Sequence, residues 1–199
     1  MVASAANGAK RTPLEAMRER VSRIVETAVE LAEQGGFENV RLREVAAVSG
    51  VALGTLYRHF RSKEDLLLAA LAREMEALER RLRERPVAGP DPLERVTQFF
   101  RLATRAFCRR PNLARATLRA VASGDHELTE KVTRFHGNLA ALTVAALRGE
   151  AGASARDHAI ADLLQNVWFA ALVGWAGGLH GQGVVVDKVR GAAELVLRA

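Results

Sequence analysis

The sequence predicts an all-α protein: a small three-helix head containing a helix-turn-helix, followed by a larger helical body. Three observations lead there. Apolar residues recur at intervals of three and four through most of the chain, the spacing of one helix face. Breaks containing Gly and Pro divide those runs into helix-sized pieces. The one strand-like run, Val184-Val185-Val186, is too isolated to find a partner strand. With 199 residues, 49% of them hydrophobic and 26% charged, the chain can bury a substantial core, which excludes a disordered polymer.

Residues 1–12 are small, polar and basic and are expected to form a flexible arm. From Pro13, the residues Met17, Val21, Ile24, Ala28 and Leu31 make one apolar stripe, and Gly35-Gly36 stops this helix because glycine accepts positive φ. Phe37 and Val40 pack as the chain turns. A second helix over about 42–49 points Leu42, Val45 and Ala46 inward, and Gly50 makes a tight turn. A third helix over about 53–60 buries Leu56 and Phe60 and turns Thr55, Tyr57, Arg58 and His59 outward. Residues 62–65 have the [ST]-x-x-[DE] form of a capping box, so a fourth helix opens at Lys63 and runs to about residue 83. Glu76/Arg80 and Glu79/Arg83 are opposite charges four apart on a solvated face. Its apolar side (Leu67, Leu71, Met75, Leu78, Leu82) links the two halves. Residues 86–92 form a connecting loop rich in proline. Five more helices are expected, over about 93–109, 113–122, 127–148, 155–177 and 187–198.

The formal charge of +6 and a pI of about 10.4 favour an anionic partner without specifying one. Up to residue 70 ten Lys/Arg face nine Asp/Glu, so any cationic surface there depends on placement rather than on bulk charge. Cys108 is the only cysteine, which excludes an intrachain disulfide and reads as a small buried apolar residue. The N-terminus lacks an apolar signal core, and the longest apolar segment, 167–179, is shorter than a bilayer span. A cytoplasmic location and no membrane partner are therefore expected.

Gly54-Thr55-Leu56-Tyr57-Arg58-His59-Phe60-Arg61-Ser62-Lys63-Glu64-Asp65-Leu66-Leu67 resembles the signature of TetR-type transcriptional regulators, with Tyr, Phe and Lys at its fixed offsets. Upstream, Gly-Gly-Phe-Glu-Asn-Val and Leu-Arg-Glu-Val-Ala match the same family at the right spacing. Leu42 departs from the pattern, standing where many members carry Thr as a helix cap. The resemblance covers about residues 18–70. It implies a helix-turn-helix DNA-binding domain over 13–62, a connecting helix over 63–85, and a helical ligand-binding and dimerisation domain over 91–199. Cys108-Arg109-Arg110-Pro111-Asn112-Leu113, Arg119-Ala120, Val167-Trp168 and Trp175 are similar to repressors of actinobacterial steroid and lipid catabolism.

The chemistry of the head agrees with double-stranded DNA as a partner. Tyr57 and His59 can donate to phosphate oxygens and so position the helix, Lys63 adds a full charge at the start of the fourth helix, and Arg58 is a further cation on the DNA-binding side. Arg43 is either a phosphate clamp or a guanine reader, while Ala52, Leu53 and Thr55 can offer methyl groups to thymine and Gly54 lets the backbone approach. One reader discriminates poorly. A homodimer doubles the contacts and calls for an inverted repeat with half-sites about 34–36 Å apart, or a multiple of that.

In the body, Phe99, Phe100, Phe107, Phe135, Leu142, Trp168, Phe169 and Trp175 are ordinary core residues taken singly; together they could line an apolar cavity. The resemblance implies that such a cavity holds a small apolar effector, of acyl-CoA or steroid type, coupled to the head through the fourth helix. Asn138, Gln165, Asn166 and Thr104 are the polar groups available to orient it. The family pattern further implies dimerisation through the last two helices, where Ala161, Leu164, Trp168, Ala171, Leu172, Trp175, Val189, Ala192, Ala193 and Val196 offer small and apolar faces.

An enzyme is the competing class. The five histidines are scattered, and His126 and Glu130, four apart without a third ligand, read as a surface pair rather than a metal site. No nucleophile triad, phosphate loop or cysteine motif stands out, and no cofactor is expected. A helical interaction module without DNA affinity is a third reading.

Overall fold

A computed structural model describes residues 12–149 and 152–198. The expected arm therefore lies, except for Thr12, outside the described residues. Among these, every regular element is helical: α1 (Pro13–Asn39), α2 (Leu42–Ser49), α3 (Leu53–His59), α4 (Lys63–Glu84), α5 (Pro92–Phe107), α6 (Pro111–Val121), a 3-10 turn (His126–Leu128), α7 (Thr129–Arg148), α8 (Ala155–Ala176) and α9 (Gln182–Leu197).

Local chemistry sets most of the ends. Thr12 Oγ1 accepts from the Glu15 N–H at 3.2 Å and Glu15 Oε2 accepts from the Thr12 N–H at 2.8 Å, so α1 opens with a reciprocal box. Gly36, at φ 70°, interrupts its end as expected. Gly50, at φ 68°, makes the turn between α2 and α3, with the Val51 N–H donating to Ala46 O at 3.0 Å across it. The position flanking α2 is Arg41 rather than Leu42; it supplies no side-chain cap, and Leu42 is the first helical residue. Ser62 caps α4, accepting from the Asp65 N–H at 3.1 Å. Asp65 does not complete the box: its carboxylate accepts instead from the Arg61 N–H, at 3.0 Å.

Four expectations change. Met17 is 44% exposed, because α2, α4 and α6 pack along the later turns of α1 and its buried face starts at Ile24. Pro111 begins α6 instead of only ending α5, since proline at the first helical position loses no hydrogen bond. α9 starts at Gln182, absorbing the three valines; Val185 and Val186 are buried, and packing overrides their weak helix propensity. Glu130 pairs with Arg134 at 2.6 Å, one turn along α7, rather than with His126.

Two cores result. One gathers Ile24, Val25, Ala28, Val45, Leu56, Phe60, Leu66 and Leu67 in the head. The other gathers Val96, Phe99, Phe100, Leu139, Leu164, Trp168, Leu172 and Val189 in the body. Two helices belong to both. α4 gives Leu66, Leu67 and Ala70 to the head and Met75 and Leu78 to the body. α6 gives Leu113, Ala116 and Ala120 to the head and Ala114 and Leu118 to the body. α1 also caps α6: Glu33 Oε2 accepts from the Leu113 N–H at 3.1 Å, and Glu33 O accepts from Asn112 Nδ2 at 2.8 Å. The body helix α6 is thereby seated on the head.

α8 is long and apolar enough, by length and composition, to cross a membrane; half of that stretch is buried within the fold, against α6, α7 and α9. Of the small and apolar residues expected on the last two helices, all but Ala192 and Val196 are buried in the subunit's own core. Leu163, Val173, Val184 and Leu195 are the large apolar side chains that α8 and α9 leave exposed.

Candidate nucleic-acid interface and effector cavity

α3 is seven residues long and is held from beneath. Leu56 has no exposure and Phe60, just past its end, is also buried, four residues on. The opposite side carries the exposed Gly54, Tyr57 (49% exposed) and Arg58, with Thr55 and His59 half-buried. Ala52 is exposed at the head of the helix, while Leu53 is half-buried and rests on the head core. Arg58 Nη2 donates to Thr55 Oγ1 at 3.0 Å, so these two side chains form one polar unit. Arg43 is exposed on the first turn of α2. The helix-turn-helix thus brings Arg43, Gly54, Tyr57 and Arg58 to the outside of the head.

Lys63 is differently placed. Its ammonium donates to Glu38 Oε2 at 3.3 Å and stands 3.9 Å from the centre of the Phe37 ring. Arg119, from α6, pairs with Glu38 Oε1 at 2.7 Å and lies 4.2 Å from the same ring centre. The hydrogen bond and charge of Lys63, and then the charge of Arg119, hold the Glu38 carboxyl below its ordinary pKa. Glu38 and Arg119 entered the sequence reading only as parts of the family resemblance, without a role; nothing in the linear spacing brings residues 38, 63 and 119 together.

Asp65 was likewise read only as a capping residue. It is 4% exposed and pairs with Lys131 on α7 while accepting from the Arg61 N–H. Arg61 in turn reaches Glu127 at 2.9 Å. The start of α4, next to α3, is therefore pinned to the body through two ionic contacts.

In the body, free space follows α4. A groove of about 240 Å³ between α4 and α7 has Leu68, Leu71, Met75 and Phe135 along it and Lys131, Arg134, Asn138 and Glu76 at its rim. A tighter space beneath α4 is lined by Leu71, Met75, Leu78, Phe107, Phe135 and Trp168. It adjoins another lined by Ala70, Leu71, Phe107, Leu113 and Ala114. Of the eight expected pocket residues, Phe107, Phe135 and Trp168 line these spaces. Phe99 and Phe100 are packed edge to face, 5.0 Å apart, with no exposure. Trp175 is buried with Arg115 over its ring, and Leu142 and Phe169 pack on the body core away from these spaces. Sequence reasoning passed over the contribution of α4 itself, whose apolar side it assigned only to linking the halves.

The polar groups divide in the same way. Asn138 is on the groove rim. Thr104 is occupied, accepting from Trp168 Nε1 at 2.9 Å. Gln165 hydrogen-bonds His136 through Nε2, and its Oε1 has no partner among the described residues. Asn166 is exposed. Burial lowers the His136 pKa, opposed by the charge of Asp162.

The chain is similar to known proteins along most of its length. Residues 24–70 match the family "Bacterial regulatory proteins, tetR family", and residues 89–195 match "Tetracyclin repressor-like, C-terminal domain". The HTH-type transcriptional repressor KstR of Rhodococcus jostii is 35% identical over 196 residues, covering 98% of this chain and 91% of the relative. KstR of Mycobacterium tuberculosis is 34% identical over 161 residues, covering 81% and 73%. A TetR transcriptional regulator from Rhodococcus sp. RHA1 superposes with a TM-score of 0.79 at 27% identity, covering 90% of this chain and 96% of that one. The regulator FadR from Bacillus subtilis, solved in complex with stearoyl-CoA, shares the fold at 20% identity, with a TM-score of 0.64 and coverage of 88% and 96%.

Proposed function

Since the chain belongs to the TetR family of bacterial transcriptional regulators, we propose that it is an effector-controlled repressor that binds an inverted-repeat operator as a homodimer in the cytoplasm. The observation that carries this reading is the two-sidedness of α3: Leu56 and Phe60 anchor it, while Thr55, Tyr57, Arg58 and His59 remain on its outer side. Tyr57, His59 and Lys63 hold phosphates. Arg43, Ala52, Leu53, Gly54 and Thr55 meet base edges. Residues 13–62 act as the DNA-binding unit, 63–85 as the connecting helix and 91–199 as the ligand-binding and dimerisation unit. The exposed Leu163, Val173 and Leu195 of α8 and α9 supply the apolar centre of the dimer contact.

The effector is a small, largely apolar molecule, of acyl-CoA or steroid type, and enters the space under α4 beside Phe107, Phe135 and Trp168. That space is tight, so an occupant must push α4 from the body. The start of α4 carries Lys63 and is tied to α7 through Asp65, and the spacing of two recognition helices changes with it. Only a ligand that favours the displaced geometry releases DNA. Selection of bound sequences from random duplexes, with and without acyl-CoA and steroid ligands, tests the reading. An enriched inverted repeat whose recovery falls with one ligand class supports it. Absence of any enriched repeat at low ionic strength overturns it.

A further inference from the structure

Resting on that reading of an effector-controlled regulator, we propose that Arg73, Arg80, Arg109 and Arg110 form an anion subsite for a phosphate-bearing ligand. They line a cleft of about 200 Å³ between α1, α4 and the α5–α6 connection. Four guanidinium groups meet only two carboxylates there, Glu26 and Glu74. Glu74 is engaged by Arg109 Nη2, which donates to both its oxygens at 3.2 and 3.1 Å. Arg73 donates to the backbone oxygen of Ser22 at 3.2 Å. Arg80 and Arg110 have no hydrogen-bond or ionic partner among the described residues. Like charges gathered in one concavity without full compensation raise the local concentration of anions, and planar guanidinium forks suit phosphate oxygens.

The position of the cleft separates it from the DNA-facing end. Arg73 and Arg80 lie ten and seventeen residues beyond Lys63 on α4, about 15 and 25 Å along a helix rising 1.5 Å per residue. The cleft also adjoins the apolar space under α4. It shares Ala70, Glu74, Arg109 and Arg110 with the pocket floored by Leu71, Phe107 and Leu113. A charged head held by the arginines would place an attached apolar group directly beneath α4. The anion is either such a head or a free phosphate compound, and the chemistry of the contact is the same.

Calorimetric titration at constant ionic strength separates these sources. The probes are pyrophosphate, coenzyme A, palmitoyl-CoA and palmitate, titrated into the wild type and an R80Q/R110Q double variant. Both side chains are exposed and unpartnered, so the variant should fold as the wild type does, and unchanged operator affinity verifies it. Loss of two charge-assisted contacts should weaken the phosphate-bearing probes by about tenfold or more, with palmitate unaffected. Pyrophosphate binding that the double variant loses assigns the site to free anions. A loss confined to palmitoyl-CoA assigns it to the head of an apolar effector. Pyrophosphate binding with no binding of either palmitoyl probe keeps the subsite and removes the effector cavity. The proposal is overturned if the wild type binds none of the phosphate probes, if the variant binds them equally well, or if operator affinity falls in parallel, which would make the cleft a DNA contact.

Discussion

Lys63 Nζ stands 3.9 Å from the centre of the Phe37 ring. This contact joins the first residue of α4 to the end of α1, and the bond from Lys63 to Glu38 reinforces it. An ammonium proposed to grip a DNA phosphate is therefore already neutralised within the free protein. The approaching phosphate must compete with Glu38, while Arg119 offers that carboxylate a substitute partner at 2.7 Å. Glu38→Gln should raise DNA affinity several-fold across all sequences, because it removes both a competitor and a negative charge. Thermal stability should change little, since ion pairs exposed to solvent add little to folding. Fluorescence anisotropy over a salt series measures the effect; an unchanged affinity would show that Glu38 does not compete.

The Arg58–Thr55 hydrogen bond makes Thr55 part of a two-residue unit rather than an isolated hydroxyl. Thr55→Val keeps the shape and removes the acceptor, so base preference should change at one position in each half-site. Tyr57→Phe should instead weaken all sequences alike, by about 1 kcal/mol or roughly fivefold, as expected for one lost phosphate contact. Selection of bound sequences on both variants distinguishes these patterns. A uniform loss for Thr55→Val would remove it from base reading.

Asp65 is buried and serves the Arg61 N–H and Lys131 together. Replacing it with alanine leaves that N–H and the ammonium without their acceptor, at a cost of roughly 2 kcal/mol. For a chain of this size that corresponds to a Tm lower by about 4–8 °C. Lys131→Met should cost less, because Asp65 keeps the Arg61 N–H and the lysine is partly solvated. Paired melting curves test the ranking, and an equal or larger loss for Lys131→Met would contradict it.

Burial pushes the Cys108 thiol up to about 12. Because the thiolate is the reactive form, iodoacetamide at pH 8 should leave the folded protein unmodified and label it once urea is added. Linkage gives the sign of the accompanying pH dependence. An unfolded thiol ionises above about pH 8.5, while the folded one keeps its proton, so stability falls as pH rises from there towards 12. Cys108→Ala should flatten that alkaline slope in urea titrations. Rapid alkylation under native conditions would rule out the buried thiol.

The helix-turn-helix could be read directly from the chain because its determinants are close in sequence. Gly50 allows the positive φ of the turn, Leu56 and Phe60 share a face four residues apart, and Ser62 caps the next helix. Periodicity likewise located the body helices, missing mainly starts such as Pro111 and Gln182, where proline geometry and buried packing outweigh local signals. Contacts between distant segments had no such signature. The pairing of Glu38 with Lys63 and Arg119, the Asp65–Lys131 bond, and the entry of α6 into the head core depend on which helix faces meet. The same is true of the space under α4 and of the choice between core and surface on α8 and α9. A repeat of three and four marks an apolar face, but the neighbour that covers it is selected only when the helices dock.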